Sequence, residues 1–79
     1  MDREMLLNEI IPIFREVLED DAVTITENDS SETIDGWDSL AHILIISELE
    51  SHFSIKIPMS KVQEMKKVSK MIDVIVELT

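Results

Sequence analysis

Apolar residues recur at intervals of three and four positions near both ends of this chain, which is the spacing of amphipathic helices. The two segments are residues 4 to 18 and residues 68 to 78. Pro12 lies inside the first segment, and proline removes the amide that would bond to the carbonyl of Asn8. We therefore expect two amphipathic helices, the first of them kinked or split at Pro12.

The middle of the chain completes an all-α pattern. Residues 38 to 53 predict a second helix, residues 55 to 58 a short extended piece, and Ser60 and Gln63 have the spacing of a capping box for a short third helix. Residues 19 to 37 lack periodicity and predict a long connection. Its apolar residues should pin it to the core: Val23, Ile25, Ile34 and Trp37. We expect one domain over residues 1–79, a small four-helix bundle with a long first loop and a short third helix.

The composition narrows the functional classes. The chain has 79 residues, a net charge of −10 and no cysteine, so disulfides, thiolate metal sites and a cysteine nucleophile are excluded. So small an interior disfavours an enzyme. Its acidity disfavours nucleic acid and anionic membranes, and it either favours a basic protein partner or simply keeps the domain dissolved. We expect a cytoplasmic monomer without a metal site.

The predicted second helix has apolar residues on two sides. At about 100° per residue, one arc faces the core and contains most of them. Its members are His42, Ile43, Ile45, Ile46, Leu49 and Phe53. Leu40 and Leu44 lie on the opposite side, either as ordinary exposed leucines or as a stripe that docks a partner.

The start of this helix contains two residues that could cap it, Asp38 and Ser39, after the flexible Gly36. An ordinary capped start is the simplest interpretation. Only one cap is needed, however, so the other side chain is left beside unpaired amides at the positive end of the helix dipole. An anion attached to Ser39 would be stabilised there.

The residues Gly36-Trp37-Asp38-Ser39-Leu40 resemble the attachment motif of acyl carrier proteins, and the likeness extends over nearly the whole chain. The resemblance implies a discrete carrier, not an enzyme. A Mg²⁺-dependent phosphopantetheinyl transferase would place 4′-phosphopantetheine from coenzyme A on Ser39, with Asp38 orienting the transferase. The arm's thiol would hold acyl groups as thioesters, sheltered in part by the apolar interior, for enzymes of fatty acid, polyketide or another specialised pathway.

The same resemblance implies a surface for partners. Leu40, Leu44, Glu48 and Glu50 are the residues expected to contact the acyl-loading and acyl-processing enzymes. Many carriers of housekeeping fatty acid synthesis have acids at the positions of Leu44 and Ser51, and an acid or hydroxyl at that of Ala41. We therefore favour a specialised pathway.

Catalytic and metal-binding interpretations of the same residues are weak. Asp38, Ser39 and His42 lack any sign of an oxyanion hole, and His52 comes ten positions after His42, about 280° further round the helix. The alternating residues Asp29, Ser31, Thr33 and Asp35 lack the glycine and glutamate positions of a calcium loop.

Two other functions stay open at this point. One is a discrete amino-acid or aryl carrier of the nonribosomal type. The other is an unmodified helical module that binds a protein through its acidic and leucine-bearing surfaces, with Ser39 as a simple cap.

Overall fold

Four α-helices and one 3₁₀ turn form the regular structure of residues 2–79, the part of the chain that the computed structural model describes. The elements are α1 (Arg3–Leu18), α2 (Ser39–Phe53), α3 (Met59–Val62), the 3₁₀ turn (Glu64–Lys66) and α4 (Val68–Leu78). The all-α class, the long first loop and the short third helix are confirmed. None of the described helices combines the length and apolarity needed to cross a bilayer.

Helix α1 continues through Pro12 without a split. The Asp2 carboxylate caps its start by accepting the amide of Met5 at 2.8 Å, and Glu19 ends it in a left-handed conformation. Pro12 removes one intrahelical hydrogen bond, but the residue itself lies on the exposed side of the helix. The opposite side is held by buried residues, which keep the helix in place: Leu6, Ile10, Ile13 and Phe14.

A single core lies where α1 packs against α2 and α4. Its side chains come from every element except α3, and from the segments that precede α2 and α3: Leu6, Ile10, Ile13, Phe14, Ile25, Trp37, Ile45, Ile46, Leu49, Ile57, Met65, Val68, Met71, Ile72, Val74 and Ile75. Trp37 meets Phe14 edge to face, with ring centroids 4.7 Å apart. The loop before α2 therefore packs against α1, as the pattern of its apolar residues predicted.

The backbone of the long loop is also bonded to the 3₁₀ turn and to α4. Ser31 donates its amide to the carbonyl of Lys66 at 2.9 Å, and Asp29 accepts the amide of Val68 at 3.0 Å. The Asp29 carboxylate accepts hydrogen bonds from Thr26 and Thr33, which hold its pKa below the ordinary value. This segment is thus a fixed connection. At the start of α4, which has no side-chain cap, the carbonyl of Asp29 accepts the amide of the first residue, Val68.

The start of α3 differs from the sequence prediction. The helix begins at Met59 after an extended Pro58, without any side-chain cap, so the predicted capping box of Ser60 and Gln63 is wrong. The preceding segment is fixed instead by Glu50, whose carboxylate accepts the amide of Ile57 at 2.8 Å. The helix therefore starts directly after Pro58, at Met59, which is one residue before Ser60.

Candidate functional site

The start of α2 is organised by Asp38. Its carboxylate accepts the amide of Ala41 at 2.9 Å, and its carbonyl accepts the amide of His42 at 2.9 Å. Gly36 has φ +85°, which side-chain-bearing residues rarely adopt, and its carbonyl accepts the amide of Asp38. Asp38 is therefore the N-cap, and Ser39 is not required for that purpose.

Ser39 is exposed and is the first residue of α2. Its hydroxyl takes part in none of the side-chain hydrogen bonds found within residues 2–79. The first-turn amides of Ser39 and Leu40 have no acceptor inside the helix. A phosphodiester on this hydroxyl would be next to those amides and to the positive end of the dipole, so the site fits such a group.

An apolar surface adjoins Ser39 along α2. Leu40 is 68% exposed and Leu44 47%, which confirms that both lie outside the core. Ile43, which was predicted to face the core, is 62% exposed, so that prediction is wrong. We refer to Leu40, Ile43 and Leu44 as the apolar face of α2.

The exposure of Ile43 has a structural cause in the short third helix. A cleft of about 300 Å³ opens between α2 and α3, and Ile43 and Met59 both line it. The other lining residues are Ile46, Val62 and Gln63. Since α3 contains only four residues, it covers Ile46 but leaves Ile43 in solvent, and Met59 is itself 87% exposed. The apolar surface therefore extends from α2 across the cleft to α3.

The two predicted acidic contacts lie in different surroundings. Glu48 is exposed one turn beyond Leu44 and lines a groove against α1 with Glu9 and Glu16. Glu50 is half-buried, and one of its carboxylate oxygens, Oε2, accepts the amide of Ile57. Glu48 lies at the far end of the apolar face of α2, whereas Glu50 also has a role inside the fold.

His42 lies directly beneath this surface and is only 2% exposed. Its Nδ1 is 3.0 Å from the indole nitrogen of Trp37, and its Nε2 is 2.6 Å from the carbonyl oxygen of Val62. Because an indole N–H can only donate, Nδ1 accepts and Nε2 carries the proton that is donated to Val62. Burial lowers the pKa of His42, and the nearby charge of Lys66 adds to this effect against the opposing bond to Val62.

These contacts confirm that His42 is a hydrogen-bonded core residue. Its link to Trp37 was not predicted, although the spacing of five positions, across a helix start, is a signal that could have suggested it. His52 is half-exposed and pairs with Glu9 at 3.0 Å, away from His42. No group of three potential metal ligands occurs within residues 2–79, and the oxygens of Asp29 are used within its own loop.

The structure thus has an exposed serine at the start of a capped helix in a small four-helix fold, which is the arrangement that the resemblance to carrier domains predicted. The sequence profile of a family described as "Phosphopantetheine attachment site" matches residues 8–75. The solution structure of the holo acyl carrier protein from Geobacter metallireducens is similar, with a TM-score of 0.83 and 38% identity over 91% of this chain and 83% of that chain. A comparison with curated proteins gave no significant match.

The chain belongs to the phosphopantetheine-binding acyl carrier family. Members of this family are carriers and not enzymes, and they bear a covalently attached 4′-phosphopantetheine. They act together with a phosphopantetheinyl transferase and with acyl-processing enzymes.

Proposed function

We propose that Ser39 is the residue that receives 4′-phosphopantetheine, and that this chain then carries acyl groups as thioesters between partner enzymes. The observation that carries the proposal is the division of roles at the start of α2. Asp38 supplies the cap, and Ser39 is left exposed with a hydroxyl that the fold does not use. When bound, the arm supplies the thiol that this cysteine-free chain lacks.

The modification itself is a phosphoryl transfer from coenzyme A. The Ser39 oxygen forms a bond to the phosphorus next to the pantetheine, the pyrophosphate bond breaks, adenosine 3′,5′-bisphosphate leaves, and the hydroxyl proton is released. The transferase and its Mg²⁺ supply the chemistry. This chain supplies an accessible hydroxyl and, through the first-turn amides, a favourable place for the resulting phosphodiester.

Partner enzymes are proposed to bind the apolar face of α2, with Glu48 at its far end. Leu40 and Leu44 are both exposed and lie within two turns of Ser39, where an enzyme that reaches the arm must also come close. We include Asp38 as a contact of the transferase, because the residue is exposed and only its Oδ1 is used to cap the helix. Glu50 is retained as a proposed contact, because the amide of Ile57 bonds to its Oε2 alone.

The same surface bears on the pathway. It presents more apolar side chain than charge, so we propose partners with apolar docking surfaces, as expected of a specialised pathway rather than general fatty acid synthesis. Fast loading and elongation by a general fatty acid synthase system would contradict this. The cleft between α2 and α3 is proposed to shelter part of the cargo, since its lining is mainly apolar.

We further propose that residues 1–79 act as a single cytoplasmic carrier domain and as a monomer. A net charge of −10 on so small a domain supports the monomer, because copies of the chain repel one another. Sedimentation at physiological salt tests the monomer, and fractionation of cells that produce the tagged protein tests its location.

The intact mass of the protein after incubation with coenzyme A, Mg²⁺ and a permissive transferase tests the central proposal. We expect the native chain to gain one phosphopantetheinyl group. Ser39→Ala should gain none while it remains folded by circular dichroism. Ser47→Ala is the matched control, because Ser47 is an exposed serine of the same helix, and it should be modified like the native chain.

Two results would contradict the proposal. Modification of Ser39→Ala would assign the arm to another residue. A failure of several transferases to modify the native chain would favour the unmodified interaction module, in which the exposed surface of α2 only binds a protein.

A further inference from the structure

His42 connects three parts of the molecule that surround Ser39. It lies in the first turn of α2, it accepts the indole N–H of Trp37 from the preceding loop, and it donates to Val62, the last residue of α3. Trp37 precedes Ser39 by two positions. Val62 lines the cleft that Ile43 borders one turn after Ser39. A single imidazole therefore joins the loop before the serine to the far wall of the cleft.

This arrangement depends on one tautomer of the ring. The neutral form with its proton on Nε2 satisfies both partners, because Nδ1 must accept and Nε2 must donate. In the other neutral tautomer, a protonated Nδ1 would meet the indole N–H of Trp37, and an unprotonated Nε2 would meet the carbonyl oxygen of Val62. Neither hydrogen bond could then form. A protonated ring would keep the bond to Val62 but oppose the indole N–H with another N–H.

Resting on the carrier function proposed above, we propose that His42 is a positioning residue that holds α3 against α2 and thereby fixes the width of the apolar cleft beside Ser39. Helix α3 contains four residues, has no side-chain cap and buries none of its residues. So short a helix has little stability of its own, and its position depends on the contacts that others make with it. The bond from His42 reaches it at its last residue.

Two substitutions separate the halves of this connection. In His42→Asn the side-chain oxygen can still accept the Trp37 indole, but the donor to Val62 is lost. In His42→Gln the side-chain amide can still reach Val62, but the acceptor for the indole is lost. The two variants are matched in polarity and differ in which bond they keep.

Hydrogen exchange at two sites in the unmodified protein reports these bonds. One site is the indole proton of Trp37, and the other is the amide proton of Lys61, which bonds to the carbonyl of Pro58 immediately before α3. We expect His42→Asn to speed exchange at Lys61 by about fivefold, the factor of one ordinary hydrogen bond, with little change at Trp37. We expect the reverse in His42→Gln.

A crossed pattern is the result that a merely structural role would not give. If both variants speed exchange at both sites equally, His42 only stabilises the fold and the proposal is overturned. If neither variant changes exchange at Lys61, the bond to Val62 does not position α3, and the proposal is again overturned.

The native protein provides a second test that needs no variant. Lys66 is the one charged group found to influence His42 within residues 2–79, and its charge opposes protonation. Below the ordinary histidine pKa of 6.5, progressive protonation should speed exchange of the Trp37 indole, measured against a free indole at the same pH, while Lys61 stays protected. Equal loss of protection at both sites would overturn the proposal.

The consequence for cargo is tested in the modified protein. Straight acyl chains of increasing length are attached through the arm, and the methyl signals of Ile46 and Val62 are followed by NMR. We expect His42→Asn to change the chain length at which these signals stop responding, and His42→Gln to leave it unchanged. No difference between the variants would overturn the role in the cleft. Failure to modify Ser39 would instead contradict the carrier function and leave the exchange experiment valid.

Discussion

Helices α2 and α4 are both rich in apolar residues but use them differently. In α4 the buried residues lie on one side, and charged residues make up most of the other. The buried set is Val68, Met71, Ile72, Val74 and Ile75. In α2 the core takes five residues, and three more large apolar side chains remain in solvent as the apolar face. Folding accounts for the composition of α4, but it does not account for that of α2.

The surplus in α2 is concentrated at one place. Leu40, Ile43 and Leu44 all lie in the first two turns, directly after Ser39. Exposed apolar side chains clustered in this way are typical of contact surfaces. The comparison therefore assigns the buried side of α2 to stability and its exposed side to partners, and each assignment can be tested alone.

The largest expected effect is on the core side of the comparison. Ile72 is fully buried in α4, so Ile72→Ala should lower the free energy of unfolding by about 3 kcal/mol through lost burial and a cavity. Denaturation in urea measures this. The matched control is Val76→Ala on the exposed side of the same helix, which should change stability by less than about 0.5 kcal/mol. Equal losses in the two variants would contradict the division into two sides.

The second effect concerns the apolar face of α2. The double variant Leu40→Ala, Leu44→Ala should lower kcat/KM for the transferase about tenfold, since each leucine is a candidate anchor for an enzyme that must reach Ser39. The free energy of unfolding should change by less than about 0.5 kcal/mol. Modification kinetics and urea denaturation measure the two quantities. A large loss of stability with unchanged kinetics would reverse the assignment.

Asp38 links the two sides, because it both caps α2 and is exposed. Asp38→Ala should lower the free energy of unfolding by about 1 kcal/mol, whereas Asp38→Asn keeps a capping oxygen and should change it by only a few tenths. If the charge also orients the transferase, both variants are modified slowly. Normal modification of a stable Asp38→Asn protein would restrict Asp38 to its role as a cap.

The smallest expected effect is on the stability of the fold at acid pH, because it depends on the protonation of one buried residue of α2, His42. The pKa of His42 is lowered in the folded state, so the unfolded chain binds more protons as pH falls through 6.5. The contribution of neutral His42 to the free energy of unfolding is therefore complete above that pH and is lost as the pH falls below it. Urea denaturation at pH values from about 5 to 8 should show a decline that His42→Gln reduces. An identical decline in both proteins would assign the effect to other groups.

The sequence predicted the features that depend on local pattern. The periodicity of α1, α2 and α4 and the start of α2 at Asp38 are visible within single segments. So is the exposure of Leu40 and Leu44. Helical geometry fixes which residues share a side, and no knowledge of the neighbours is needed for that.

The features that were missed depend on contacts between segments. Ile43 lies on the core-facing arc, but α3 is too short to cover it. The bond between Trp37 and His42 needs the loop to fold back over the start of the helix, which the spacing of five positions permits but does not determine. Ser60 has the composition of a cap, but the helix starts earlier because Pro58 and the bond to Ile57 fix the chain before it.

The central claim is that one hydroxyl among the eight serines of this chain is built for modification. Fragmentation mass spectrometry of the protein after reaction with coenzyme A and a transferase tests it most directly, because it locates the added group. We predict a single phosphopantetheinyl group on the fragment that contains Ser39, and none on any other serine. A group located on another residue, or no group under conditions that modify a known carrier, would contradict the account.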